Sequence, residues 1–522
     1  MVVTRFPGAN CLWLESRLQP VLKWHRLKAE LQHGRNENVG HSPTYEITMH
    51  VPLFQSRRDF LHLAGGGFGA LAMSAMDAWA NPGRESGGDT ASPFLPKKPH
   101  FEGKATSVIF LFMEGGPSHV DLFDPKPELT RQNGKPLPAS FGKVITPMGT
   151  GGNNLLASKR TFKKHGKSGL DFSDWLPHLA TCADDFTVLR ACHADGLNHV
   201  GSVCQMNTGS ILAGRPSLGS WALYGLGTLN QNLPGFVVFT EGGGSPFGGA
   251  RNWGTGYMPA TYQGTLFRDG PNPVLNLATP ASVGDARQKA KLELIDQLND
   301  IHRRERPGET ELDARQRAYE LAFKMQASAP EVIDLSQEPE KVKEAYGLNH
   351  KDTAEFGRCC LLARRLVERG VRFVQVYCGA GSKWDAHADI EGNHTRLCAR
   401  ADRPSAALIH DLKARGMLDD TLVIWGGEFG RTPMTEGKDG RDHNPYGFTT
   451  LMAGGGVKGG YVHGTTDEFG LYGIENRVHV HDFHATILHL LGFDHEKLTF
   501  KHNGRDDRLT EVFGHVVKEI VA

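Results

Sequence analysis

The run Ser107–Met113 (SVIFLFM) is almost wholly apolar, and residues 421–425 (TLVIW) repeat the pattern. Short, β-branched runs without polar alternation predict strands buried on both faces of a mostly parallel sheet. Residues 186–190 and 235–240 read as further strands, and 372–377 (RFVQVY) as a β-rich alternating one. That last strand follows a helical period over 353–369 that stops at Gly370. Residues 170–179 read as a helix start, 200–207 as a helix closed by Thr208-Gly209, and 395–415 as an amphipathic helix ending at Gly416. Between 281 and 346 the pattern turns charged and helix-periodic, broken by Pro307-Gly308, which predicts a helical insertion with few chemical groups. Strands alternating with helices define an α/β protein with a mostly parallel central sheet.

In such sheets ligands bind just beyond the carboxyl ends of the strands. The first strand runs into Glu114, and the strand at 421–425 turns at Gly426-Gly427 into Glu428. Beyond 372–377 come Trp384-Asp385-Ala386-His387-Ala388-Asp389 and then His394, and Arg441-Asp442-His443 follow further on. Carboxylates and imidazoles delivered together suit borderline metals, with zinc or manganese favoured over calcium. The plain alternative is an ion pair between Glu428 and Arg431 in an ordinary loop. His479, His481, His484 and His489 lack the spacing of a helical metal site and read as core or cap residues.

Composition narrows the partners. Lys plus Arg and Asp plus Glu both number 58, so zero net charge favours neither nucleic acid nor an anionic membrane. Sixty-three glycines suit many strand-to-helix crossings. Of eight cysteines, Cys11 precedes the other seven by a wide gap; with no CxxC pair, those seven read as buried free thiols.

Arg57-Arg58 ahead of a weakly apolar, Gly- and Ala-rich run predicts a twin-arginine export signal over 49–80, with Ala78-Trp79-Ala80 as cleavage site. The run is too short and glycine-rich for a stable membrane span. Residues 1–48 then read as an extension ahead of a start at Met49, 81–100 as a linker, and 101–522 as the folded domain.

The motifs MEGGPSHVDLFDPKP, NHVGSVCQMNTG, RPSLGSW, WDAHAD, GEFGRTP, GRDHNP, AGGGVKGG and HDFHATILHLLG occur in this order between 107 and 517. In this the chain resembles the exported, sulfatase-like proteins of domain of unknown function 1501, which are similar to the alkaline phosphatase superfamily. The resemblance implies a three-layer α/β/α sandwich and hydrolysis of phosphate or sulfate esters at a one- or two-metal site. It places Glu114 at the first-strand metal carboxylate, Asp385 and His387 in a DxH-like region, Glu428 at the Asp of an Asp-His-Gly motif, and His443 at a later metal histidine.

Phe429 stands where that motif has its histidine, so the resemblance implies one well-held ion, with Asp442, Asp389 or His394 as substitute ligands. The sulfatase cysteine motif is absent: its position falls on His199, and Cys204 lacks the flanking residues. His199, Ser202 and Thr208 remain the candidate nucleophiles, and Arg431 or Arg441 the candidate clamps for anionic oxygens. The expected function is an exported metal-dependent hydrolase of anionic esters, sulfated or phosphorylated polysaccharide among them. The alternative is a non-catalytic relative that binds extracytoplasmic carbohydrate or a protein partner.

Overall fold

Strand β1 (Ser107–Met113) is buried at all seven positions, and its side chains divide between two cores. Val108, Phe110 and Phe112 enter one; Ile109, Leu111 and Met113 enter the other. This two-sided burial is why the run shows no polar alternation. The computed structural model describes residues 94–268, 273–274, 283–305 and 310–522. The expected extension, export signal and most of the linker lie outside the described residues.

The other sheet strands are β2 (Phe186–His193), β3 (Phe236–Thr240), β4 (Thr265–Arg268), β5 (Phe373–Cys378), β6 (Thr421–Gly426), β9 (Phe448–Ala453), β10 (Tyr461–His463) and β11 (Val478–His479), while β7 (Gly430–Glu436) and β8 (Gly440–Asn444) form a separate hairpin. The sheet order is β10-β2-β9-β6-β1-β5-β3-β4, with β11 also on β2. β1 runs parallel to both neighbours, Met113 opposite Cys378 and Phe112 opposite Gly426. β9 is antiparallel to β6 and β2.

The helices needed here are α1 (His199–Thr208), α2 (Leu218–Leu226), α3 (Asp285–Glu305), α4 (Thr310–Ile333), α5 (Ala354–Glu368), α6 (Ile390–Ala414) and α7 (Val480–Leu490). Apolar residues of α5 and α6, such as Phe356, Leu361, Leu408 and Leu412, pack on one face of the sheet. Those of α2 and α7, such as Trp221, Leu223, Phe483 and Ile487, pack on the other. The architecture is a three-layer α/β/α sandwich with a mostly parallel central sheet. Among the described residues no helix is long and apolar enough to cross a membrane, and the seven cysteines after Cys11 are buried free thiols.

Three local expectations change. Residues 170–179 do not start a helix: Leu170–Ser173 pairs with Phe162–His165 in a small antiparallel ribbon, where Leu170 and Phe172 alternate inward as a strand requires. α6 starts five residues before 395, because the Asp389 carboxylate accepts the Gly392 amide at 2.9 Å and caps it. In the helical insertion, Met325, Ala329 and Val332 of α4 reach the main core, so that segment also contributes packing.

Register places the chemistry. Glu114, Glu241 and Glu428 directly follow or lie just beyond the carboxyl ends of β1, β3 and β6, and the Asp385 loop follows β5. Because β9 runs backwards, the β7–β8 hairpin joining β6 to β9 stays at this edge, and the carboxyl end of β2 brings α1 there too.

If both faces of β1 are core, Leu111→Ala should cost about 2–5 kcal/mol and Phe110→Ala about 3–5 kcal/mol. Equilibrium urea unfolding reads both. A negligible loss for either would mean that its face of the sheet is not packed.

Candidate metal centre

Glycines let two pieces of backbone close on the loop after β5. Gly115 has φ +118°, and a Cβ there would stand 2.4 Å from the Asp385 amide nitrogen. A Cβ on Gly440 would meet the His387 carbonyl oxygen at 1.9 Å. The loop is also tied by the Trp384 amide donating to the Glu114 carbonyl at 3.0 Å and the Arg441 amide to the Ala386 carbonyl at 2.9 Å. Asp385 and His387 are thereby held between β1 and the β7–β8 hairpin.

His443 comes from β8, and Phe429 stacks on its ring at 4.5 Å. His199 opens α1, whose N-cap Asn198 accepts the Gly201 amide at 3.0 Å. Its ring lies between Phe247, stacked at 5.7 Å, and Phe429 at 5.0 Å.

Around Asp385 these groups converge. Oδ1 lies 3.0 Å from His387 Nε2 and 3.4 Å from His443 Nε2, and Oδ2 lies 3.1 Å from His199 Nε2. One ligand atom from each of His199, Asp385, His387 and His443 falls within 4.8 Å of all the others, a group that could hold a metal ion. Each imidazole is anchored through its other nitrogen: His199 Nδ1 to Glu428 Oε1 at 2.6 Å, His443 Nδ1 to the Leu197 carbonyl at 3.0 Å, and His387 Nδ1 to Glu436. With the imidazoles neutral, Nδ1–H donors toward those acceptors leave three Nε2 lone pairs facing the centre.

The test of fit lies in the unpartnered atoms. His199 Nε2 and His443 Nε2 are buried with no hydrogen-bond partner, and Asp385 Oδ1 beside them, also buried, is met only by the Arg431 guanidinium at 2.7 Å and the imidazole edges. Buried polar atoms left without a partner are costly, and a cation among them satisfies both nitrogens. The donor set of three imidazoles and one carboxylate fits a divalent transition metal.

Charge supports the arrangement. Burial works against ionising Asp385, yet the three imidazoles and Arg431, whose Nη2 is 2.7 Å away, hold its carboxyl far below the usual range. Burial would also lower the His199 pKa, but Asp385 and Glu428 push it up to about 9. Asp385 chiefly raises that of His387, against burial, and burial lowers that of His443.

The other expected residues occupy supporting places. Glu428 lies outside the ligand group: both its oxygens accept the Gly115 amide, at 3.0 and 3.1 Å, and it holds His199 from behind. It makes no ion pair with Arg431. Glu114 accepts the Phe247 and Gly381 amides at 2.6 and 2.8 Å, and burial, then Glu428, raises it to about 7. Arg431 is fully buried and donates to the Gly116, Arg441 and Gly115 carbonyls besides pairing with Asp385, so it positions Asp385 instead of facing an oxyanion. Arg441 is paired with Asp121 at 2.8 Å.

Asp442 accepts the Met148 amide at 3.0 Å and the Thr150 hydroxyl at 2.8 Å, and with His387 and Glu436 makes a second, overlapping group. Asp389 caps α6, and His394 Nε2 accepts the Ser118 amide at 3.0 Å. Ser202 is buried against Gly196, and the Thr208 hydroxyl donates to the Cys204 carbonyl at 2.8 Å. Neither hydroxyl joins the cluster. Sequence reasoning missed Glu436 altogether and read His199 as a nucleophile instead of a ligand candidate; no spacing signal linked either to His387.

The model of the family described as "Protein of unknown function (DUF1501)" matches residues 105–521. The chain belongs to that family. No curated protein matches this DUF1501 chain. Solved structures similar to it include PsFucS1 sulfatase from Pseudoalteromonas sp., at 12% identity over 82% of this chain and 71% of that one, with TM-score 0.31. Others are the lipoteichoic acid synthase LtaP from Listeria monocytogenes, at 11% identity over 76% and 74% with TM-score 0.31, and alkaline phosphatase from the Antarctic bacterium TAB5, at 10% identity over 75% and 99% with TM-score 0.33.

If Glu436 orients His387 as a ligand, Glu436→Ala should weaken zinc binding about 10–100-fold without unfolding the protein. Competition with a chromophoric chelator measures this. Unchanged affinity would make the Glu436 contact incidental.

The raised His199 pKa gives a second expectation, with its sign. Below about pH 9 the metal-free His199 carries a proton that an ion must displace, so zinc affinity rises with pH and levels off above about 9. Proton release measured during titration at pH values on either side checks it.

Proposed function

We propose that this DUF1501 protein is an exported, metal-dependent hydrolase of sulfate or phosphate esters, holding zinc or manganese among His199, Asp385, His387 and His443. One observation carries the reading: three anchored imidazoles turn their Nε2 atoms toward one carboxylate, and the inward nitrogens of His199 and His443 have no hydrogen-bond partner. Nitrogen-rich donors favour zinc or manganese over calcium, which takes six to eight oxygens.

A divalent ion bound there would supply Lewis acidity toward an ester oxygen and toward water. The chain's own residues set the approach. The His387 and Asp385 side chains keep 30% and 24% of their surface open, against 10% for His199 and 6% for His443. A substrate would therefore enter past His387 and Asp385, while Phe429 and Phe247 keep water from the His199 side. Arg431, through its bond to Asp385, keeps the carboxylate aimed at the imidazoles. With Ser202 and Thr208 turned away, attack by water suits the site better than attack by a hydroxyl of the chain.

Export rests on the Arg57-Arg58 leader, and the twin-arginine route carries folded proteins, which suits loading of an ion before export. The substrate would then be an extracytoplasmic anionic ester, with sulfated or phosphorylated polysaccharide as the expected class. The absence of a hydroxyl or thiol in the cluster favours one second reading, a non-catalytic module that binds carbohydrate or a protein partner.

Protein purified after export should hold about one zinc or manganese ion per chain, the stoichiometry of a single four-ligand site. It should hydrolyse p-nitrophenyl phosphate or sulfate, and both properties should fall in His443→Ala. An ion-free wild type after loading with both metals, or turnover untouched by His443→Ala, would leave the binding-module reading in its place. Replacing Arg57 and Arg58 with lysine should retain the precursor inside the cell; normal export would overturn the leader assignment.

A further inference from the structure

Beside the loop that carries Asp385 and His387 lies a cavity of about 290 Å³ lined by Lys383, Asn393, Arg396, Leu397 and Arg400. Four of the five sit on α6 at i, i+3, i+4 and i+7, hence on one face; Lys383 faces them from the loop, two residues before Asp385. Arg400 is balanced by the buried carboxylate of Glu241. Lys383 and Arg396 make no side-chain hydrogen bond or ion pair with any described residue. Arg396 and Arg400 are a like-charge i,i+4 pair, an arrangement that destabilises a helix, and a third cation is brought up to them.

We propose that this cavity binds an anionic oxygen group, a sulfate, phosphate or carboxylate, and that it receives a second negative charge of the ester substrate. The chemistry is direct. An unpaired guanidinium and an unpaired ammonium beside a concave space recognise tetrahedral or planar oxyanions by charge-assisted hydrogen bonds. The position is direct as well, since the cavity lies at the carboxyl edge of the sheet that also bears the metal centre. Asn393 joins the two: its amide nitrogen donates to the Lys383 carbonyl at 2.9 Å and the Asp385 carbonyl at 3.4 Å. An anion drawn to Lys383 is thus held against the segment that fixes Asp385. The substrate assignment rests on the hydrolase reading; the anion site does not.

The test has two arms. In the first, inorganic pyrophosphate is titrated by calorimetry into the metal-free mature protein at low salt. Binding should weaken at least about tenfold in Arg396→Gln and in Lys383→Gln, and persist in His443→Ala. Both positions are exposed, and unchanged zinc content and melting temperature would show that the variants fold. No binding by the wild type, or equal binding by the variants, overturns the anion site. In the second arm, kcat/KM is compared for p-nitrophenyl phosphate and for an aryl phosphate bearing an additional carboxylate. Arg396→Gln should lower the ratio favouring the carboxylate-bearing ester about tenfold, through KM. An unchanged ratio overturns the substrate assignment, whereas failure of turnover in the wild type counts against the hydrolase reading and leaves the first arm to judge the cavity.

Discussion

The site depends on one half-buried carboxylate. Asp385 is brought to the sheet edge by a loop that glycine at 115 and 440 allows two other segments to touch. Its charge could not be kept there alone, because a desolvated carboxylate without partners takes up a proton. Arg431 stays at its side without leaving the interior, and three imidazoles face its two oxygens. In the metal-free protein a proton on His199 helps balance the carboxylate; a divalent ion at the same place would take over that task.

The sheet topology turns scattered residues into that geometry. Parallel strands β1, β5 and β6 release their carboxyl ends at one level, so Glu114, Asp385 and Glu428 come from segments far apart in the chain and reach one edge. The antiparallel strand β9 removes the need for a crossover after β6. The short hairpin in its place carries Arg431, Glu436, Arg441, Asp442 and His443, and thus supplies both a ligand candidate and the anchor of another.

The framework was legible because burial on both faces leaves a continuous apolar signature, as in SVIFLFM and TLVIW. The expectation that carboxylates gather at strand ends followed from that framework alone. The β7–β8 hairpin was not legible: GRTPMTE and GRDHN read as polar loop, yet Arg431, Arg441 and Asp442 are fully buried. Its interior is satisfied by charge pairing and carbonyl acceptors instead of apolar alternation, and periodicity does not record such pairs. For the same reason His199 could be counted into a nucleophile position but not seen as a neighbour of His443. Glu436 escaped because its partner His387 is 49 positions away.

Phe429 bears on how the cluster is held. The resemblance to metal hydrolases puts a histidine there, and its replacement first reads as a lost ligand. Its ring instead packs beside the touching rings of His199 and His443, stacked on the latter, and a Cβ on Gly116 would strike it at 2.6 Å. An apolar ring in that place fixes both imidazoles and lowers the local dielectric, which strengthens every charge interaction beside it. The remaining carboxylates on the opposite side, Glu436 and Asp442, are engaged by His387 and by the Met148 and Thr150 donors. The donors left facing inward are those of one four-membered group, and the ring at 429 packs against two of its three imidazoles, so a position that reads as a lost ligand supports that group by packing.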